Sequence, residues 1–191
     1  MGSLAERDSM TRIIYYVAAS LDSYIAAPDG GIDWLSAVEC PGEDYGYQAF
    51  YNTIDELIMG SRTYEQVLGF GDWPYAGKPC RVLSTRELIL ASPDITVTEQ
   101  SPSEVVSEFE ERDIGTVWLV GGSFVASQFR DRGLISEYII TVVPVILGDG
   151  IPLFCRSKRN DTLTLTDTVS FPSGVVQLRY VPAKREGKTE Q

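Results

Sequence analysis

The chain has 191 residues, 43% of them hydrophobic, and a formal net charge of -11, which suits one domain with a substantial core and disfavours a nucleic-acid or membrane-surface partner. It contains no histidine and three widely spaced cysteines, which excludes Ser-His-Asp and Cys-His mechanisms and gives no support to a metal site or a disulfide framework. We therefore expect the chemistry of the protein to come from a bound cofactor.

One folded domain is predicted over residues 11–182. Residues 1–10 are mainly polar and are expected to be disordered or vector-derived, and residues 183–191 are expected to form a flexible tail. No apolar run reaches the roughly 20 residues that cross a bilayer, and the sequence lacks a signal-peptide pattern. We therefore predict a cytoplasmic protein without a membrane partner.

Short apolar runs that are rich in β-branched and aromatic residues predict the strands. In chain order these runs are residues 12–19, 56–59, 81–83, 95–98, 116–120, 138–143, 163–169 and 175–181. Helical spacing of apolar residues predicts helices at residues 61–68, 102–112 and 124–132. Residues 20–33, after the first strand, are expected to form a long loop.

The helix at residues 102–112 has the clearest start. Ser101 and Glu104 match a capping box, and Pro102 suits the first helical position. Strands that alternate with helices early in the chain, followed by strands alone, imply an α/β fold with a mixed sheet. We predict a sheet that is parallel at its centre and carries an antiparallel C-terminal hairpin.

Two of the predicted strands end in glycine and lead directly into a helix. Such a junction is a candidate anion site, because the first backbone N–H groups of a helix have no intrahelical partner. The first junction offers Gly60, Ser61, Arg62 and Thr63, and the second offers Gly121, Gly122 and Ser123. Together they suit two linked phosphates. The alternative interpretation is that the glycines merely end strands and that Arg62 is a solvated charge.

A third polar segment follows the strand at residues 81–83. Ser84, Thr85 and Arg86 offer two hydroxyls and a guanidinium to a further phosphate, such as the 2′-phosphate of NADPH. Neither the Rossmann pattern GxGxxG nor the nucleotide-binding pattern GxxxxGK[ST] occurs in the chain. This disfavours a Rossmann dehydrogenase and a kinase.

Carboxylates and aromatic side chains are frequent between the first two predicted strands. The candidate substrate residues among them are Asp22, Trp34, Asp44, Tyr47 and Phe50. A flat heterocycle can stack on aromatic rings while a carboxylate pairs with its N–H donors, which orients the ring for hydride transfer. The alternative interpretation makes the aromatic residues ordinary members of one helix and the acids a solvated rim.

Several segments in order resemble the dihydrofolate-reductase-like superfamily. They are IIYYVAASLDSYIA, LIMGSRTYE, KPCRVLSTR, VWLVGGSFVASQF and EYIITVVPVILGDGIPLF. They most resemble the branch that contains the C-terminal reductase domain of riboflavin-biosynthesis proteins, the RibD C-terminal domain. The resemblance implies a three-layer α/β/α fold, a stand-alone reductase that uses NADPH, and a homodimer. It departs from the riboflavin-type pattern at Ser23 and Val120, where that branch has glycine and an acidic residue.

The resemblance also implies roles for particular residues. Backbone near Ala19 and Ile25 would hold the nicotinamide, and Ser84, Thr85 and Arg86 would bind the 2′-phosphate. The other cofactor-binding residues would be Gly60, Ser61, Arg62, Thr63, Gly121, Gly122, Ser123, Phe124 and Val125. The substrate would lie against Trp34, Tyr47 and Phe50, with Asp44 and Asp22 as the catalytic acids.

The predicted function is an NADPH-dependent reductase that resembles 5-amino-6-(5-phosphoribosylamino)uracil reductase. Its hydride would go to a small heterocyclic or ribosylamino substrate, and the proton would come from solvent or from an acid such as Asp44. Two alternatives stay open. One is the reduction of dihydrofolate, and the other is a nucleotide-binding protein without turnover.

Overall fold

The computed structural model describes residues 10–183. The predicted features of residues 1–9 and 184–191 therefore lie outside the described residues. Within residues 10–183, no helix has both the length and the apolar character that crossing a bilayer requires.

An eight-stranded sheet forms the centre of the fold. Its strands are β1 (Arg12–Ser20), β3 (Glu56–Gly60), β4 (Cys80–Leu83), β5 (Ile95–Thr98), β6 (Thr116–Gly121), β7 (Glu137–Val143), β9 (Leu163–Ser170) and β10 (Val176–Pro182). The helices are α1 (Tyr47–Tyr51), α2 (Ser61–Gly69), α3 (Pro102–Glu111) and α4 (Ser123–Asp131). All the strands and helices predicted from the sequence are present, within two residues of their predicted bounds.

The strand order confirms the predicted topology. Across the sheet the order is β5-β4-β3-β6-β1-β7-β10-β9, and every pair from β5 to β7 is parallel. Strand β10 then runs antiparallel to β7, and β9 runs antiparallel to β10. The sheet is therefore mixed, with a parallel centre and an antiparallel C-terminal hairpin.

Four short elements were not among the predicted strands and helices. One is α1, which matches the alternative interpretation of the aromatic residues as members of one helix. The segment expected to be one long loop contains strand β2 (Tyr24–Ala26), which pairs antiparallel with β8 (Ile151–Pro152), and a 3-10 helix follows at Asp33–Val38. Strands of two or three residues are too short to show a period-two pattern, so their pairing depends on the tertiary fold.

Side chains alternate between two apolar layers, one on each face of the sheet. Leu57 and Met59 of β3 pack in one layer with α1 and α2, through Phe50 and Tyr64. Ile58, between them in sequence, packs in the other layer with α3 and α4. This alternation confirms the three-layer α/β/α arrangement.

A buried network of charges joins the sheet to α3. The Arg81 guanidinium donates hydrogen bonds of 2.9 and 2.8 Å to Glu108 and lies 3.6 Å from Glu56. Arg112 lies 3.3 Å from the second oxygen of Glu56. Burial raises the pKa of Glu56, whereas the hydrogen bonds from Arg81 lower the pKa of Glu108 to about 2. Two guanidinium groups thus hold a carboxylate that has little contact with water.

We predict that Arg81→Met lowers the free energy of unfolding by about 3 kcal/mol, because a buried carboxylate then loses one of its two cations. Arg12→Met is the matched control, since Arg12 pairs with Glu137 at 2.7 Å but is 58% exposed. The control is expected to cost less than about 1 kcal/mol. Urea denaturation measures both, and equal losses would contradict the importance of burial.

Candidate functional site

Two cavities open beyond the carboxyl ends of the parallel strands. The larger has a volume of about 1180 Å³ and the smaller about 340 Å³. They meet at shared wall residues, Tyr16, Val17, Ala18, Leu35 and Trp118. Ligand pockets in proteins span roughly 300 to 1,000 Å³, and open α/β sheets bind ligands at this edge. The two cavities together form the candidate site.

The larger cavity lies against the start of two helices, α2 and α4. Strands β3 and β6 are parallel neighbours, with Met59 opposite Gly121, so the turns that follow them lie side by side. A Cβ atom on Gly60 would lie 2.8 Å from Val125 Cγ2, and one on Gly122 would lie 3.1 Å from Thr63 Oγ1. The two junctions predicted from the sequence are therefore in direct contact, and glycine leaves the space that this contact needs.

Neither helix is capped by a side chain. Gly60 and Gly122 occupy the N-cap positions of α2 and α4, and no side-chain cap bond is present at either. By contrast, α3 has its predicted capping box, in which Glu104 accepts a 2.7 Å hydrogen bond from Ser101 N. The first N–H groups of α2 and α4 are thus left to a ligand, and two adjacent helix N-termini are suited to bind negative charge.

Most of the predicted cofactor residues share this cavity. Those in its wall are Ile25, Gly60, Ser61, Arg62, Thr63, Ser84, Thr85, Arg86, Gly122, Ser123, Phe124 and Val125. Ala19 is buried in β1 next to the wall residue Ala18, and Gly121 is the last residue of β6, directly before Gly122. Hydroxyls, guanidinium groups and free backbone N–H groups form a donor set that fits a phosphorylated dinucleotide.

Arg86 connects the loop after β4 to the first turns of α2. Its guanidinium lies 3.1 Å from the Ser61 hydroxyl and 2.9 Å from the Glu65 carboxylate. Both partners of this ion pair are about half exposed, so the pair itself adds little stability and can exchange for another anion. The guanidinium therefore lies at the cavity edge where an anionic group could reach it.

The smaller cavity is mainly apolar and contains two of the predicted substrate residues, Asp44 and Tyr47. The Asp44 carboxylate accepts hydrogen bonds from Gly46 N at 2.9 Å and Gln48 N at 3.0 Å. These bonds hold the pKa of Asp44 below its usual range. Asp44 is therefore ionised at neutral pH, which suits it to bind N–H groups rather than to donate a proton.

Asp22, the second predicted catalytic acid, lies outside both cavity walls. Its carboxylate accepts hydrogen bonds from Ser20 Oγ at 2.6 Å, Leu147 N at 3.1 Å and Gly148 N at 2.7 Å. These bonds join the turn after β1 to the loop before β8. In the same turn Ser23 has a φ of 69°, a conformation that favours the glycine of the related pattern.

Phe50 and Trp34 also lie outside the two walls. Phe50 is buried in the core, where its ring makes edge contacts with Tyr16 at 4.5 Å and Trp118 at 5.5 Å between centroids. Trp34 packs against the small apolar cluster around Val38. Both residues therefore contact the back of the cavity walls rather than the cavities themselves.

The structure adds wall residues that the sequence analysis did not select. In the smaller cavity these are Tyr16, Val17, Ala18, Leu35, Val38, Glu39, Tyr45, Trp118, Thr141, Val143 and Val175. The Gln177 amide donates hydrogen bonds to Tyr16 Oη at 3.4 Å and Thr141 Oγ1 at 3.2 Å. The sequence does contain a signal for two of these polar residues. Thr141 and Gln177 stand within apolar strands, and a buried polar group in a sheet needs a hydrogen-bond partner.

The fold and the paired, uncapped helix starts define an α/β protein of the dihydrofolate-reductase-like type. The family model of the RibD C-terminal domain matches residues 11–177. The chain belongs to this family.

Two relatives show how similar the chain is to known proteins. It is 36% identical over 173 residues to the uncharacterized protein YwjB of Bacillus subtilis, covering 90% of this chain and 98% of YwjB. It is 29% identical over 133 residues to the dihydrofolate reductase HdrB of Haloferax volcanii, covering 69% of this chain and 66% of HdrB.

Two solved structures share the fold. A candidate riboflavin biosynthesis protein from Shewanella sp. PV-4 is 28% identical, with a TM-score of 0.84 over 91% of this chain and 100% of that one. A diaminohydroxyphosphoribosylaminopyrimidine deaminase/5-amino-6-(5-phosphoribosylamino)uracil reductase from Thermotoga maritima is 15% identical, with a TM-score of 0.70 over 91% of this chain and 57% of that one. The chain thus spans little more than half of the Thermotoga protein, and this second likeness concerns the fold alone.

We predict that Gly60→Ala lowers the free energy of unfolding by about 1 to 3 kcal/mol, because the new methyl group would overlap the Val125 side chain. The backbone of Gly60 has a φ of -86°, which alanine adopts freely, so only the lack of space is tested. In a Val125→Ala background the same change is expected to cost much less. Thermal and urea unfolding measure both, and equal costs in the two backgrounds would contradict the close contact of the helix starts.

Proposed function

We propose that the protein is an NADPH-dependent reductase that acts on a small heterocyclic or ribosylamino compound. The observation that carries the proposal is the pair of uncapped helix N-termini, α2 and α4, in contact at one large cavity. Membership of the RibD C-terminal domain family supports a reductase, as does the similarity to the Haloferax dihydrofolate reductase.

For the cofactor we propose that the starts of α2 and α4 bind the linked phosphates through Gly60–Thr63 and Gly121–Val125. Ser84, Thr85 and Arg86 would bind the 2′-phosphate, and backbone near Ala19 and Ile25 would hold the nicotinamide. When bound, NADPH supplies a hydride to an electrophilic carbon and leaves as NADP⁺. The wall residues shared by the two cavities, among them Ala18 and Trp118, would keep water away from the reacting atoms.

At the substrate end we propose that Asp44 binds the substrate as a carboxylate, with Tyr47 against the ring. Because the pKa of Asp44 is lowered, the proton that completes the reduction of a C=N or C=O bond would come from solvent. Asp22 would act indirectly, since its carboxylate holds the loop that leads to the cavity residue Ile151. Phe50 and Trp34 would support the walls from behind.

A titration with NADPH and an assay with two substrates test this function. Saturable binding of NADPH is expected, followed by its oxidation with a ribosylaminouracil, tested both as 5-amino-6-(5-phosphoribosylamino)uracil and as its dephosphorylated form. The relative HdrB favours dihydrofolate as the second candidate, and the same absorbance assay decides between them. Tight binding without oxidation by any such compound would instead favour a nucleotide-binding protein without turnover, and no saturable binding would contradict the proposal.

We predict that Arg86→Ala weakens the binding of NADPH by about 1.5 to 3 kcal/mol and leaves NADH almost unchanged, because a charge-assisted bond to phosphate is lost. Glu65→Gln is the matched control, since it removes the partner of Arg86 but keeps the guanidinium. Titrations of both cofactors measure the effect. Equal losses of affinity for NADPH and NADH would contradict a role of Arg86 in binding the 2′-phosphate.

The homodimer and the cytoplasmic location stay predictions. Strand β9 supports the homodimer, because it is the edge of the sheet and exposes the apolar side chains of Leu165 and Val169. A second copy could cover this edge, which would otherwise be open to unspecific pairing.

A further inference from the structure

Building on the proposed function, we infer that the substrate of this protein is an unphosphorylated ring that carries both N–H and C=O groups. The inference concerns the smaller cavity, which extends the cofactor cavity past Tyr16 and Trp118. Its wall charges, its hydroxyl groups and its size support this substrate class independently of one another.

The charges of the smaller cavity are negative. Glu39 and Asp44 both line it, and among residues 10–183 no lysine or arginine does. The Asp44 carboxylate is fixed in place by the backbone N–H groups of Gly46 and Gln48. A phosphate group placed here would meet two like charges and an apolar wall that cannot solvate it.

The larger cavity differs in this respect, because its wall contains cations as well as anions. Arg62 and Arg86 line it together with Glu99 and Glu104, whereas of residues 10–183 no lysine or arginine lines the smaller cavity. Arg179, the partner of Glu137 at 3.4 Å and of Asp167 at 3.9 Å, lies outside the wall of the smaller cavity.

A hydroxyl group supplies the complementary donor. Gln177 Nε2 lies 3.4 Å from Tyr16 Oη, 3.2 Å from Thr141 Oγ1 and 3.2 Å from the Tyr45 carbonyl oxygen. The Thr141 hydroxyl also donates to Tyr16, so the Tyr16 proton is the one left for a ligand. Burial raises the pKa of Tyr16, so its hydroxyl keeps this proton at neutral pH. A ligand C=O group would accept from the Tyr16 hydroxyl, and its N–H groups would donate to the Asp44 carboxylate.

The size and walls of the cavity suit a bare ring. Its volume of about 340 Å³ is close to the lower limit of roughly 300 Å³ for ligand pockets. Tyr47 and Trp118 line it, and their rings lie edge to face with centroids 5.9 Å apart. A planar lactam, with N–H and C=O on one ring, fits these contacts better than a ring that carries a phosphoribosyl chain.

A matched pair of probes tests the inference. The first probe is 5-amino-6-(5-phosphoribosylamino)uracil, and the second is the same compound after a phosphatase has removed its phosphate. With NADP⁺ bound, calorimetry is expected to show at least about tenfold tighter binding of the dephosphorylated probe. Tighter binding of the phosphorylated probe, or failure of both to bind while the nucleotide saturates the protein, would overturn the inference. Failure of the nucleotide itself to bind would overturn the proposed function instead.

A charge reversal at the wall gives a second test. Glu39→Lys is expected to shift the ratio of the two affinities toward the phosphorylated probe by about tenfold. Glu111→Lys, an equal change of charge at the exposed end of α3 and outside both cavities, is expected to leave the ratio unchanged. Equal shifts in the two variants would show that the net charge of the protein, rather than the cavity wall, selects the substrate.

Discussion

Two helices begin side by side because the strands that lead into them, β3 and β6, are hydrogen-bonded parallel neighbours. Each helix starts after a glycine, and a methyl group at either glycine would press on the other helix start. The contact brings two sets of free N–H groups to one cavity, an arrangement that suits the binding of anions. The larger cavity, and with it the wall that it shares with the smaller one, takes its position from this contact.

The two cavities differ in the charged residues of their walls. Arg62 and Arg86 line the larger cavity together with Glu99 and Glu104, whereas Glu39 and Asp44, and no lysine or arginine of residues 10–183, line the smaller one. A net charge of -11 does not reveal this difference, because the mean charge says nothing about a local patch. Under the proposed function, this difference would let a phosphorylated cofactor and a ring with N–H donors bind next to each other without competing.

Much of the cofactor side could be predicted because its signals are local. A strand that ends in glycine and leads into a helix is a continuous segment, and Gly60 and Gly122 were found in this way. The residues of the smaller cavity were harder to predict from the sequence. Phe50 follows Tyr47 by three residues and both rings contact Trp118, yet Phe50 is buried in the core while Tyr47, the first residue of α1, lines the smaller cavity. Glu39 and Thr141 come from distant segments, which no local pattern connects.

By itself the sequence determined the strands and helices, the mixed sheet and the glycine junctions, since each depends on periodicity or on turn chemistry within a short segment. Only the tertiary structure decided which of the polar residues share a cavity. It placed the Asp22 carboxylate on the backbone of Leu147 and Gly148, and it placed Asp44 in the wall of the smaller cavity. The reason is that hydrogen bonds between segments more than a hundred residues apart form only where the strand order brings those segments together. A local sequence pattern does not encode the strand order.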